Sequence, residues 1–305
     1  LSAVLLFDGQ AKGEQMRIPD QVLEDLTDYA KNLQKSTYDL YKHDFSVYYG
    51  VVASDLLPPS LLHEALTAES LVVIPHGQLH LLPWAGLMHD ERRLFEQLPV
   101  GILPNLSVLS ELSIPATPQQ VALVGVSNYQ DMQQLDDLPN AKLEVENIRS
   151  VYAAANVGIQ GPLLDEAATE AAFWELASGI SGDGNVLHIS CHGTMVPLEP
   201  MSSGLLLFDS KVDAAEVASA RLPFAEVVLS ACSTGWRPTQ VQDVVLNADE
   251  ILGIPGGFLE SGASAVLVSI PKAEGKAARA LTTNYHQRRV AGDSPLQAFK
   301  AAQEN

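Results

Sequence analysis

Residues 185–193 read Asn185-Val186-Leu187-His188-Ile189-Ser190-Cys191-His192-Gly193, and residues 225–235 read Ala225-Glu226-Val227-Val228-Leu229-Ser230-Ala231-Cys232-Ser233-Thr234-Gly235. Each block is a β-branched or Leu-rich run of strand length that stops at a reactive side chain followed by a small residue or glycine. In an open parallel sheet, ligands and chemistry collect just beyond the carboxyl ends of the strands. If these two strands are neighbours, an imidazole and a thiol stand side by side on one edge. That pairing suits nucleophilic catalysis by a thiol with a histidine base.

Working outward, the pattern alternates strand and helix. Strands are expected at 1–8, 70–75, 121–126, 157–164 and 265–270, with a hairpin-like segment at 204–209. Helices are expected at 22–40, 61–66, 141–154, 166–177, 214–220, 251–261, 272–290 and from 295 to the end. Repeated strand-then-helix order predicts an α/β fold, with a mostly parallel sheet sandwiched by helices. The Pro- and Thr-rich stretch 113–120 is the best internal linker. It divides the chain into an expected N-terminal half, 1–115, and a catalytic half, 116–305.

The 305 residues carry 37 acidic against 18 basic side chains, a net charge of −19. Such a surface repels phosphates and anionic lipid, so neither nucleic acid nor membrane is an expected partner. No apolar run approaches the ~20 residues of a membrane-spanning helix. Two cysteines make no disulfide framework, so free thiols in a reducing cytoplasm are expected. The chain opens on Leu1 without an initiating Met, as a domain cut from a longer protein would.

Cofactor fingerprints are missing. Gly253-Ile254-Pro255-Gly256-Gly257 has the wrong spacing for a dinucleotide loop, and no Gly-x-Ser-x-Gly elbow or phosphate-cradling loop occurs. His76 and His80 are four apart, but in an expected loop without nearby carboxylate spacing for zinc. No cofactor or metal is therefore expected.

The two strand-end blocks resemble those of the caspase-like cysteine peptidases, and more closely those of the CHAT domains, caspase-like modules often joined to tetratricopeptide repeats. Further segments resemble the family in the same order: 71–84, 103–109, 203–208, Leu252-Gly253, Phe258-Leu259 with Ser261-Gly262-Ala263, and 294–298. The resemblance covers nearly the whole chain. It implies a caspase-like fold whose N-terminal half is a degenerate copy of the catalytic half.

It also implies a cysteine endopeptidase acting on a protein or peptide partner, held in check by a fused or associated sensor or repeat module, including in bacterial defence. Residue by residue, it assigns the nucleophile to Cys232, the acid/base role to His192 and the oxyanion donors to the backbone N–H groups of Gly193 and Cys232. A glycine after the histidine fits, since without a Cβ the backbone can approach a substrate closely. Asp209, Asp249 and Glu250 are candidates for a pocket that selects a basic residue. Cys191 and His188 are the rival thiol and imidazole. Neighbouring strand residues point to opposite faces, so Cys191 is a poor partner for His192, and His188 is expected to face a packed layer.

Two segments depart from the family pattern. Val268-Ser269-Ile270-Pro271-Lys272-Ala273-Glu274 lacks the usual Trp and acidic pair bordering the cleft, and the loop 236–243 is long and polar. Two alternatives stand beside the peptidase: a catalytically silent caspase-like scaffold that binds a protein partner, and a non-peptidase thiol enzyme on a doubly wound sheet.

Overall fold

The computed structural model describes residues 2–22, 24, 53–76, 79–80, 82–106, 113–129, 135–196, 199–231, 240–241, 244–245, 253–269 and 274–304. Most of the helix expected at 22–40 lies outside these residues. The chain divides into two compact units, chiefly 1–110 and 111–303.

The first unit opens with the antiparallel pair β1 (Ser2–Phe7) and β2 (Gln10–Gln15). Asp8 and Gly9 connect them, both at positive φ (49° and 73°), as a two-residue turn matched to strand twist requires. Helix α1 (Pro59–Ala65) starts on a proline and is tied to β2 by Lys12 and Glu64, 2.6 Å apart. Strand β3 (Leu71–Val73), the short pair β4 (Met88–His89) and β5 (Arg92–Arg93), helix α2 (Leu94–Gln97) and β6 (Val100–Ile102) complete it. β3 and β6 pair in parallel. Trp84 is buried with Leu82, Leu87 and Leu94, and its indole N–H donates to the Leu79 carbonyl at 2.9 Å.

The second unit is built on β7 (Gln120–Gly125), α3 (Pro139–Ala154), β8 (Gly158–Leu164), α4 (Glu170–Ser178) and β9 (Asn185–Ser190). There follow a three-stranded antiparallel sheet of β10 (His192–Thr194), β11 (Gly204–Leu206) and β12 (Lys211–Asp213), and then α5 (Ala214–Ser219) and β13 (Glu226–Ser230). A two-residue pair, β14 (Gln240–Val241) and β15 (Val244–Val245), precedes α6 (Ile254–Glu260), β16 (Ala265–Leu267), α7 (Gly275–Val290) and α8 (Pro295–Gln303).

Five strands form one parallel sheet in the order β16-β13-β9-β7-β8. The order reverses between β7 and β9, because the chain first steps outward to β8 and then returns past β7. Such a switch point opens a crevice at the carboxyl ends of its two strands. Period-two alternation sends Leu187 and Ile189 of β9 to one face, with Phe173, Ala177 and Phe258 in the same core. Val121, Leu123 and Val186 face the other way, with Val145, Ile148 and Tyr152 of α3.

Two local expectations shift. The helix expected at 166–177 is a short turn at Asp165–Ala167 followed by α4, because Thr169 caps the helix by accepting the Ala172 N–H at 3.2 Å. The expected strand 185–193 breaks at Cys191, and His192 begins a strand of a different sheet.

Candidate functional site

The last paired residues of β9 and β13 are Ser190 and Ser230, opposite one another in a regular parallel register. Two residues beyond Ser190 stands His192. Two residues beyond Ser230 in sequence is Cys232, which lies outside the described residues, as do Asp249 and Glu250.

His192 is held by the loop that follows β7, on the other side of the switch point. Its Nε2 lies 2.7 Å from the carbonyl oxygen of Asp136. A carbonyl only accepts, so Nε2 carries the ring proton, and in the neutral imidazole Nδ1 keeps the lone pair. The Tyr129 ring packs against the imidazole at 4.9 Å between centroids, tilted by 51°. The Tyr129 hydroxyl accepts the backbone N–H of His192 at 3.0 Å and donates to the Leu206 carbonyl at 3.0 Å. Burial, with Cys191 close by, pushes the Tyr129 phenol far above its usual range, so it stays a protonated donor.

The loop itself is pinned from β8. Asp165 Oδ1 accepts the N–H and hydroxyl of Ser127, at 2.8 and 2.7 Å, and the N–H of Asn128 at 3.2 Å. Burial would raise the Asp165 carboxyl, but these donors and Lys142 outweigh it and hold it below the usual carboxylate range. Asp137 accepts the Tyr129 N–H at 3.2 Å. The chain of support therefore runs from Asp165 through Ser127 and Asn128 to Tyr129, and from Tyr129 to His192.

Gly193 sits in the middle of β10, opposite Leu205. Leu207 N–H donates to Ser210 and Ala214 N–H to Ser203, at 2.9 and 2.8 Å, so alternate residues of β11 face β12. The residues between them, Gly204 and Leu206, therefore turn their backbone groups toward β10. Their partners Thr194 and His192 turn toward β11, which directs the N–H of Gly193 to the outer edge of this sheet.

The other expected residues are placed as follows. Cys191 is buried in the apolar core, with Sγ 3.3 Å from the His192 carbonyl oxygen. Asp209 lies at the tip of the β11–β12 hairpin, where Oδ1 accepts the Glu170 N–H at 2.9 Å, at the start of α4, and the Ser210 hydroxyl at 3.2 Å. His80 is buried and His76 exposed. Among the described residues, no group of three or more His, Cys, Asp and Glu side chains is placed to hold a metal ion.

His188 faces α3 and α7, and the layer there is polar. Its Nε2 is 3.4 Å from Glu144 Oε1, and its Nδ1 is 3.2 Å from His286 Nε2, whose Nδ1 is 3.0 Å from the Tyr152 hydroxyl. Glu144, His188, His286 and Tyr152 thus form one buried polar chain from α3 through β9 to α7 and back to α3. Burial would raise Glu144, but His188 and the hydroxyls of Thr282 and Ser230 overcome this and hold its carboxyl below the usual value.

Reading the sequence alone passes over Glu144, Tyr129 and the Asp136 carbonyl. Only Glu144 leaves a signal there: a carboxylate on the helix face marked by Ala141, Val145, Ile148 and Tyr152.

The CHAT domain family matches residues 51–305. Among solved structures, a caspase-1 from Spodoptera frugiperda is similar at 10% identity and TM-score 0.35, over 56% of this chain and 69% of its own. The complex of the pro- and mature domains of RgpB from Porphyromonas gingivalis is similar at 10% identity and TM-score 0.45, over 90% of this chain and 67% of its own. No curated protein matches. No helix among the described residues is long and apolar enough to cross a membrane. With the match spanning most of its length, the chain belongs to the CHAT domain family.

Proposed function

We propose that the protein is a caspase-like cysteine endopeptidase in which Cys232 and His192 form the catalytic dyad. The observation that carries this reading is the adjacency of β9 and β13 in register at Ser190 and Ser230, each two residues before a dyad member. The Asp136 carbonyl supports it by fixing the tautomer that leaves His192 Nδ1 as the base.

In the proposed reaction, Nδ1 takes the Cys232 proton and the thiolate attacks the scissile carbonyl carbon. The oxyanion is received by the N–H groups of Gly193 and Cys232. Collapse breaks the C–N bond, and His192 gives its proton to the departing amine. Water, deprotonated by the same imidazole, then releases the acid and restores the thiol. Asp209, Asp249 and Glu250 are the candidates for a pocket that selects a basic residue in a protein substrate. A fused or associated sensor module governs access.

Labelling with peptidyl acyloxymethyl ketones, read by mass spectrometry, tests the dyad. The expected result is one adduct on Cys232, absent in Cys232→Ala, slowed at least a hundredfold in His192→Ala and unchanged in Cys191→Ala. An adduct on Cys191, or equal labelling without His192, overturns it, and a chain that takes no label with any peptide fits either the scaffold or a site closed until its sensor module opens it.

A further inference from the structure

Beneath the ends of β9 and β13, one carboxylate gathers hydroxyls from three elements. Glu144 Oε2 accepts from Ser190 of β9 at 3.1 Å and from Ser230 of β13 at 3.0 Å. Its Oε1 accepts from Thr282 of α7 at 2.6 Å. Glu144 is only 2% exposed. Ser190 and Ser230 are also the register partners that close the β9–β13 ladder. A single oxygen atom therefore ties two neighbouring strands together at their last paired position.

This is an expensive way to hold two strands. A buried carboxylate loses its hydration, and well-packed apolar residues often serve stability as well or better. What an apolar contact lacks is direction. Two charge-assisted hydrogen bonds to one atom fix both the spacing of the strands and their axial alignment. Alignment matters most here, because both strands hand over within two residues to the proposed dyad. A misplacement near 1 Å between reacting groups costs on the order of a hundredfold in rate. The His286–His188 chain behind Glu144 orients the carboxylate from the opposite side.

We infer that Glu144 is a positioning residue for the dyad: by clamping Ser190 and Ser230 it sets the approach of the His192 imidazole to the Cys232 thiol. The inference rests on the dyad reading above.

The test is the pH dependence of Cys232 alkylation by iodoacetamide, resolved from Cys191 by peptide mass spectrometry. An ordinary thiol reacts with a midpoint near about 8.5, and a well-placed imidazolium lowers it. In the wild type the midpoint is expected well below that value, and His192→Ala returns it there. Glu144→Gln and the double variant Ser190→Ala/Ser230→Ala are each expected to raise the midpoint by about one unit and slow alkylation at pH 6.5 about tenfold.

Tyr285→Phe is the structural control. It removes an equally buried hydroxyl from Glu226, 2.8 Å away at the other end of β13, and leaves the midpoint in place. Wild-type midpoints in both folded clamp variants overturn the inference. If Glu144→Gln does not fold, the serine pair alone decides. A midpoint that His192→Ala does not move sinks the dyad itself, a result separable from failure of the clamp.

Discussion

Asp136 and His192 meet through a backbone carbonyl, 2.7 Å from Nε2, and not through a side chain. A carbonyl cannot take up a proton at neutral pH, so it fixes the tautomer and ring orientation without sharing the acid/base work. No change at residue 136 other than a backbone shift removes this acceptor. The partner that can be removed cleanly is Tyr129.

Tyr129→Phe keeps the ring against the imidazole but leaves the His192 N–H and the Leu206 carbonyl without the hydroxyl between them. Orphaning buried polar groups costs about 1–3 kcal/mol. Urea denaturation should show a loss in that range, and the ketone label should go on more slowly than in the wild type.

Gly204 carries a second expectation. A Cβ built there falls 2.5 Å from the Val212 carbonyl oxygen and 2.8 Å from Lys211 Cγ, within the β11–β12 pair. Backbone cannot yield as a flexible side chain does, so Gly204→Ala should destabilise by about 1–3 kcal/mol. A thermal melt measures the loss. Because β11 also pairs with β10, labelling of the site should fall with it.

At the start of β13, Arg289 pairs with Glu226. Its Nε is 2.7 Å and its Nη2 2.6 Å from the same carboxylate oxygen, and Nη2 also donates to the Ala116 carbonyl at 2.8 Å. Both side chains are 1% exposed. Arg289→Met leaves an uncompensated buried carboxylate and should cost about 3–5 kcal/mol by chemical denaturation. Adding Glu226→Gln should recover a substantial part, since the stranded charge is then gone.

Acidification should unfold the protein in two stages. Burial first, then the charges of His188 and Arg289, hold His286 well below the usual imidazole value. The unfolded chain thus takes up a proton near pH 6.5 that the folded chain refuses. This contribution is intact above about pH 6.5 and is lost below it, at about 1.4 kcal/mol per pH unit. Glu144, whose folded value is lowered, adds a second loss as pH falls below about 4.3 toward that value. Denaturation midpoints from pH 8 to 2 should trace both limbs. In His286→Gln, the first limb should shrink by one proton.

Much of the architecture is legible locally. Runs such as Val121–Val126 and Glu226–Ser230 announce buried strands, and Pro139 announces the start of α3. His192-Gly193 and Ala231-Cys232 stand out because reactive side chains end apolar runs. The break at Cys191 escapes this reading, because nothing in Ser190-Cys191-His192 marks a change of sheet. His188 is legible as inward-facing by alternation, but not as part of a polar layer.

The sequence alone announced the main alternation of strand and helix in the second unit, and its resemblance to the CHAT domains supplied the family and the two residues on which the chemistry is proposed to rest. The alternation follows from periodicity, which acts over a few neighbours. Tertiary structure alone decided that β9 lies between β7 and β13 and that the Asp136 carbonyl faces His192. It alone decided that Glu144 bonds Ser190 and Ser230 across separations of 46 and 86 residues. The physical reason is range. Backbone preference and hydrophobic period are properties of a segment, whereas a hydrogen bond between distant side chains exists only once packing has brought their elements within 3 Å.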